Sequence, residues 1–120
     1  MSKKTLVIGA SLKPIRYSNM AIQKLTNYKH ETVAIGLRGG DIKGVSIDVD
    51  LKDYKNIDTV TLYLNPNRQE DYYRYIIGLN PKRVIFNPGT ENPEFYDLLK
   101  RNNIDVEIAC TLVLLSTHQY

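Results

Sequence analysis

Tryptophan is absent from the 120 residues and cysteine occurs once, at Cys110. A single thiol rules out a disulfide within the chain, so a reducing compartment, the cytoplasm, is the expected setting. Histidine is almost as scarce, at His30 and His118. One cysteine and two histidines far apart in sequence do not make a metal-ligand set. Neither histidine has a candidate nucleophile beside it, and both read as solvated side chains. No apolar run approaches the roughly 20 residues that a membrane-spanning helix needs. The opening Met-Ser-Lys-Lys leads straight into a short apolar segment with no long hydrophobic stretch or small-residue cleavage site, so neither secretion nor membrane insertion is expected. An arginine-rich arm is also missing. The 16 basic and 13 acidic residues are dispersed and leave a net charge of only +3. Nucleic acid is therefore not the expected partner, whereas a basic cleft for an anionic small molecule suits the balance. A protein partner or a second copy of the chain stays open.

What is present is a run of strand and helix signals filling residues 1–120 as one domain. Residues 5–8 are continuously apolar and β-branched, as in a strand buried on both faces of a parallel sheet. Ser18, Ala21, Ile22 and Leu25 then mark one face of a helix. Residues 32–35 form a second strand, 37–44 a glycine-containing loop, 45–47 a short third strand and 51–56 one helical turn. Residues 59–64 form a fourth strand. Asn67, three residues before Glu70, is placed to cap the next helix, whose apolar face is Tyr72, Tyr73, Ile76, Ile77 and Leu79. A fifth strand covers 83–86. Asn92 caps a helix that begins at Pro93 and turns Phe95, Leu98 and Leu99 inward. Residues 105–109 are the last strand, and 110–115 read as either a helix or an extra strand. Strands alternating with helices at this spacing predict an α/β, Rossmann-like domain. Its sheet is mainly parallel, in the order 3-2-1-4-5-6, with helices on both faces.

In such a sheet a ligand binds at the carboxyl ends of the strands, beside the switch point between strands 1 and 4. Four loops leave that edge. The first carries Gly9, Ala10, Ser11, Lys13, Pro14 and Arg16 and leads into the helix start at Tyr17 and Ser18. The second carries Gly36, Arg38, Gly39 and Gly40. The third is Asn65-Pro66-Asn67-Arg68 and the fourth Asn87-Pro88-Gly89-Thr90. A strand, a small-residue turn and a helix N-terminus are the parts of a phosphate cradle. They are equally the parts of an ordinary tight strand-to-helix turn, and only Gly9 matches the usual three-glycine fingerprint. The second strand discriminates further. An NAD site places an acid at its end, but here the chain runs Ile35-Gly36-Leu37-Arg38, with no acid before Asp41. An arginine there suits a phosphorylated ribose, which leaves coenzyme A and NADP as ligands.

The stretch Val-Ile-Gly-Ala-Ser-Leu-Lys-Pro-Ile-Arg-Tyr-Ser-Asn-Met-Ala-Ile resembles the opening of the small CoA-binding-domain proteins. These are similar to the N-terminal domain of the succinyl-CoA synthetase α subunit. The resemblance continues through the glycine-rich loop, Asp-Val-Asp-Leu-Lys-Asp, the strand at 58–64, Ile-Phe-Asn-Pro-Gly at 85–89 and the strand ending in Ala109-Cys110, or residues 3–112 in all. It implies that Gly9, Ala10 and Ser11 line the phosphates of the ADP moiety of CoA, flanked by Lys13 and the Tyr17-Ser18 helix start. Arg38 would meet the 3′-phosphate and Asn65-Pro66 would wall the pocket. Asn87-Pro88-Gly89 would lie toward the pantetheine exit. Two features depart from the family pattern. Gly36-Leu37-Arg38 stands where Asn-Pro is common, and the tail from Thr111 is apolar. The ligase activity of the synthetase resides in further parts, so the resemblance implies a CoA or short acyl-CoA binder that is not itself an enzyme. An NADP-dependent oxidoreductase module and an interaction module without a ligand are the alternatives.

Overall fold

A computed structural model describes residues 2–120. Its centre is β1 (Thr5–Ala10), where Thr5, Leu6, Val7 and Ile8 are all fully buried. Parallel neighbours pair on either side, β2 (Thr32–Gly36) and β5 (Thr59–Leu62). Beyond β2 lies β4 (Val45–Asp48), parallel to it. Beyond β5 come β6 (Arg83–Phe86) and then β7 (Asp105–Ile108), also parallel. These are the six expected strands.

The order departs from expectation by a seventh strand at one edge, β3 (Gly40–Ile42), in what reads from sequence as a loop. It pairs antiparallel with β4. The two residues between them, Lys43 and Gly44, have φ of 47° and 83°. Positive φ at both centres is the hairpin turn that matches strand twist. Lys-Gly is not the Asn-Gly signal that announces such a turn, and β3 buries one apolar side chain, Ile42. Its hydrogen bonding therefore comes from its partner rather than from its own pattern.

Helices cover both faces. On one, α1 (Tyr17–Asn27) and α5 (Thr111–Ser116) contribute Ile22, Leu25 and Leu115, which pack with Val7, Ala34 and Ile47. On the other, α3 (Tyr73–Leu79) and α4 (Pro93–Arg101) contribute Ile76, Phe95 and Leu99 to a cluster with Leu6, Ile8, Leu62 and Phe86. The ambiguous tail is thus a helix. The helix expected from Asn67 begins earlier and in pieces. Asn65 accepts the Arg68 N–H, Pro66 takes the first position of α2 (Pro66–Gln69), and a 3-10 turn over Glu70–Tyr72 leads into α3.

The helical turn expected at 51–56 is not formed. The Tyr54 hydroxyl donates to the Asp48 carboxylate, and the Tyr75 hydroxyl donates to the Lys52 carbonyl at 2.5 Å. These bonds hold the segment in an irregular path, in which the Tyr54 N–H donates to the Lys52 carbonyl at 3.0 Å and Asn56 has φ of 59°.

Candidate functional site

β1 carries an irregularity that builds the site. Its pairing with β2 shifts between Ile8 and Ala10. Alternation alone would put Ala10 on the face of Leu6 and Ile8, yet Ala10 packs on the Val7 face. Gly9, with φ +93°, absorbs the bulge. A Cβ there would stand 3.0 Å from the Tyr63 carbonyl carbon, because the chain leaving β5 crosses against it and the Tyr63 N–H donates to the Ile8 carbonyl at 2.9 Å. A Cβ on Gly36 would stand 2.4 Å from the Ala10 carbonyl oxygen. Both glycines are therefore required by backbone meeting backbone.

The loop after the bulge is held by its own bonds. The Ser11 hydroxyl accepts the Lys13 N–H at 3.1 Å, and the Lys13 carbonyl accepts the Arg16 N–H at 3.0 Å. Buried Asn19 donates from Nδ2 to the Ser11 carbonyl at 2.9 Å and accepts from Gln23 at 2.7 Å, tying the loop to α1. No side chain caps the N-terminus of α1, and its first turn holds no acid. The Asn19 and Met20 N–H groups both bond to the Arg16 carbonyl at 3.1 Å, and the positive end of the helix has no compensating side chain.

A cleft of about 710 Å³ opens here, at the carboxyl ends of β1, β2, β5 and β6. Four cations line it: Lys13, Arg16, Arg38 and Arg68. No carboxylate lines it, and none of the four belongs to an ion pair among the described residues. Apolar wall comes from Leu12 and Leu37 on the β2 side and from Leu64 and Tyr72 on the β5 side. A second hollow, beside β7, has a similar volume of about 680 Å³. Its arginine, Arg83, is already paired with Glu107 at 2.7 Å. Of these two hollows, the first combines unpaired positive charge, free of any carboxylate in its lining, with a helix start.

A family model described as CoA binding domain matches residues 3–116. The chain belongs to the CoA-binding domain family. A solved structure of an uncharacterized protein is 43% identical, with a TM-score of 0.97 over 100% of this chain and 99% of that one. A Thermus thermophilus protein is 22% identical, with a TM-score of 0.86 over 99% and 91% of the two chains. A Pyrococcus horikoshii protein is 22% identical, with the same TM-score over 97% and 83%. At that identity the last two speak to the fold alone. No curated protein matches the chain.

Within this CoA-binding domain the cleft brings together most of the side chains that the sequence singles out. Gly9, Ala10, Ser11, Lys13, Arg16, Tyr17, Ser18, Gly36, Arg38, Asn65, Pro88 and Gly89 all line it. Pro14, Pro66 and Asn87 do not. Pro14 sits inside the Lys13–Arg16 turn, and Pro66 starts α2. Asn87 is buried, with both its amide N–H donors and its amide oxygen engaged inside the protein. Its Nδ2 donates to the Thr61 hydroxyl at 2.7 Å and the Leu62 carbonyl at 2.9 Å, and its Oδ1 accepts the Thr111 N–H at 2.9 Å. It braces β5, β6 and the start of α5 beneath the cleft.

Sequence reasoning passes over Leu12, Leu37, Tyr63, Leu64 and Tyr72 as lining residues, because apolar and aromatic side chains there read as core. Arg68 and Thr90 stand in the named loops, but only the fold turns them to the cleft. Gln69 has no sequence signal at all. Fully buried, it donates from Nε2 to the carbonyls of Leu64 at 2.9 Å and Thr90 at 2.7 Å, and its Oε1 accepts from Asn92 at 3.0 Å. It bolts the third loop to the fourth. Tyr63 is half-buried, and its hydroxyl is buried without a hydrogen-bond partner among the described residues. Burial pushes the pKa of this phenol well up.

The remaining candidates for chemistry stand apart. His30 accepts the Lys3 N–H at Nδ1, 2.9 Å away, and its ring lies 4.9 Å from that of Tyr120, at the opposite edge of the sheet. Cys110 precedes α5 as a half-buried free thiol outside the cleft lining. Among the described residues no three His, Cys, Asp or Glu side chains group to hold a metal, and no helix is long and apolar enough to cross a membrane.

Proposed function

We propose that this protein binds coenzyme A or a short acyl-CoA in the carboxyl-edge cleft and serves as a cytoplasmic carrier, sensor or partner subunit rather than as an enzyme. One observation carries the reading. The chain belongs to the CoA-binding domain family, and its cleft gathers four unpaired cations, no carboxylate and an uncapped helix start. Gly9, Ala10 and Ser11 with the first turn of α1 hold the pyrophosphate through backbone N–H groups, as helix N-termini do. Lys13 and Arg16 add charge, and Arg38, beyond β2, takes the ribose 3′-phosphate as a planar fork. The apolar wall of Leu12 and Leu37 suits the adenine. Asn65, Pro88 and Gly89 border the path by which pantetheine leaves. A likeness to the CoA-binding part of succinyl-CoA synthetase supports the nucleotide assignment. His30, at the far edge of the sheet, and Cys110, outside the lining, favour binding over chemistry.

Parallel thermal unfolding with CoA, dephospho-CoA, NADP and NAD tests the proposal, because a ligand of the native state raises apparent stability. CoA is expected to give the largest rise and dephospho-CoA a smaller one. A larger rise with NADP than with CoA would overturn it.

A further inference from the structure

Of the four cations lining the cleft, Arg68 is the one no phosphate of the proposed ligand has yet claimed. Resting on the CoA reading above, we infer that Arg68 is a further ligand-binding residue that grips the pyrophosphate from the side opposite Arg38. The two arginines follow strands that flank β1, Arg38 after β2 and Arg68 after β5. Neighbouring strands lie about 4.8 Å apart, so these two strands are separated by about 10 Å. A ribose phosphate seated at Arg38 therefore lies across the β1 turn from Arg68. The anion within reach of Arg68 is the one over that turn, at Gly9 to Ser11.

Three further observations support this. Arg68 has no carboxylate partner among the described residues, although the chain forms ion pairs elsewhere with Lys4, Lys52, Lys55, Lys82 and Arg83. Its backbone is fixed, since its N–H donates to Asn65 Oδ1 at 3.2 Å and the neighbouring Gln69 is bolted to both loops. The side chain thus leaves a rigid base that faces a cleft with no competing acid. The cleft is built for a nucleotide with anions at two separate places, a pyrophosphate and a ribose phosphate, and the two arginines read them separately.

Titration calorimetry of CoA and dephospho-CoA against the native chain, Arg68→Ala and Arg38→Ala separates the two roles. Arg68→Ala is expected to weaken both ligands by the same factor, on the order of tenfold for a lost charge-assisted contact. Arg38→Ala is expected to weaken CoA and leave dephospho-CoA unchanged. Arg68→Lys should recover part of the loss, since charge returns without the fork. Arg68 is exposed, so removing its side chain leaves the core intact; circular dichroism checks this. Unchanged affinities in Arg68→Ala, or a loss confined to CoA, would overturn the inference while the CoA reading stood. A native chain that binds neither ligand would overturn both.

Discussion

At the scale of single residues, close approach explains more than flexibility does. Gly36 has ordinary negative φ, yet a methyl group there would meet the Ala10 carbonyl oxygen at 2.4 Å. That oxygen belongs to the backbone of the bulge and cannot swing aside. Gly36→Ala is expected to cost about 1–3 kcal/mol in denaturant unfolding, the usual range for overpacking. It should also disturb the cleft, because the displaced backbone belongs to the turn that lines it at Gly9, Ala10 and Ser11. Gly89 is the opposite case. Its φ is +92° but nothing lies within 4 Å of a Cβ there, so an alanine is strained without being crowded. Tyr63 offers a test of the other sign. Its buried hydroxyl makes no hydrogen bond of good geometry among the described residues; the Thr61 and Thr111 hydroxyls lie near enough to lower its pKa against the rise from burial, but they bond to each other at 2.8 Å. Removing an unsatisfied buried hydroxyl is neutral or stabilising. Tyr63→Phe should leave Tm unchanged or higher, and a drop of several degrees would reveal a hydrogen bond made by the phenol.

At the scale of elements, the cleft depends on loops that are tied together rather than on any one loop. Gln69 joins the loop after β5 to the loop after β6 through two carbonyls, and Asn92 closes the network by donating to Gln69 and, at 2.7 Å, to the Tyr73 hydroxyl. Gln69→Leu keeps the volume roughly constant but strands those carbonyls. A loss of about 1–3 kcal/mol is expected, together with weaker CoA binding, since both loops line the cleft. Equal affinity in a folded Gln69→Leu chain would show that the loops hold their places unaided.

Elements also show how far a sequence can be read. The Asn92 cap and Pro93 start of α4 are legible because capping is local. The hairpin of β3 and β4 is not, because Lys43-Gly44 gives a weak turn signal and β3 is stabilised mainly by pairing. The 51–56 segment misleads for a related reason. Its helical composition is overridden by two tyrosine hydroxyls, one from α3, that exist only once the chain has folded.

At the scale of the whole molecule, the two edges of the sheet have different work. The carboxyl edge carries the cleft. The amino edge is closed by contacts between distant parts of the chain. The Tyr120 hydroxyl bonds the Thr5 hydroxyl at 2.5 Å, and its carbonyl accepts from Lys3 at 2.7 Å and Arg83 at 3.0 Å. The Arg83 guanidinium also lies 4.3 Å from the centre of the Tyr120 ring. His30 sits in this closure as a neutral acceptor. Burial, then the nearby Lys3 charge, holds its pKa below the ordinary 6.5. A depressed pKa means that the unfolded chain takes up the proton first. Stability is then complete above pH 6.5 and declines as pH falls below it. Unfolding followed across pH 5–8 should show that decline, on the order of one proton's worth, and His30→Asn should flatten it. Asp48 acts lower on the scale. The Tyr54 hydroxyl, and then Lys52, hold its pKa below 3.8, so its contribution persists until pH falls beneath that value.

Local chemistry alone determines a good part of this protein. Apolar runs, helical spacing, the Asn92 cap and the glycine and proline turns specify a mainly parallel Rossmann-like sheet with its glycine-containing loops at the carboxyl ends of the strands. The absence of an acid after β2 also belongs to the sequence, as does the cluster of small residues at 9–11. Each of these is a property of a residue and its near neighbours. Tertiary structure decided the rest. It made Asn87 a brace instead of a lining residue, and it gave Gly9 and Gly36 their crowding. It also set Gln69 between two loops and turned Arg68 toward the same cleft as Arg38. Those roles depend on which strands lie side by side, since a side chain's partners across β1, β5 and β6 are fixed by sheet order and register. Charge at a single position says nothing of this. Four cations become a site only when folding brings them to one opening and keeps every carboxylate away from it.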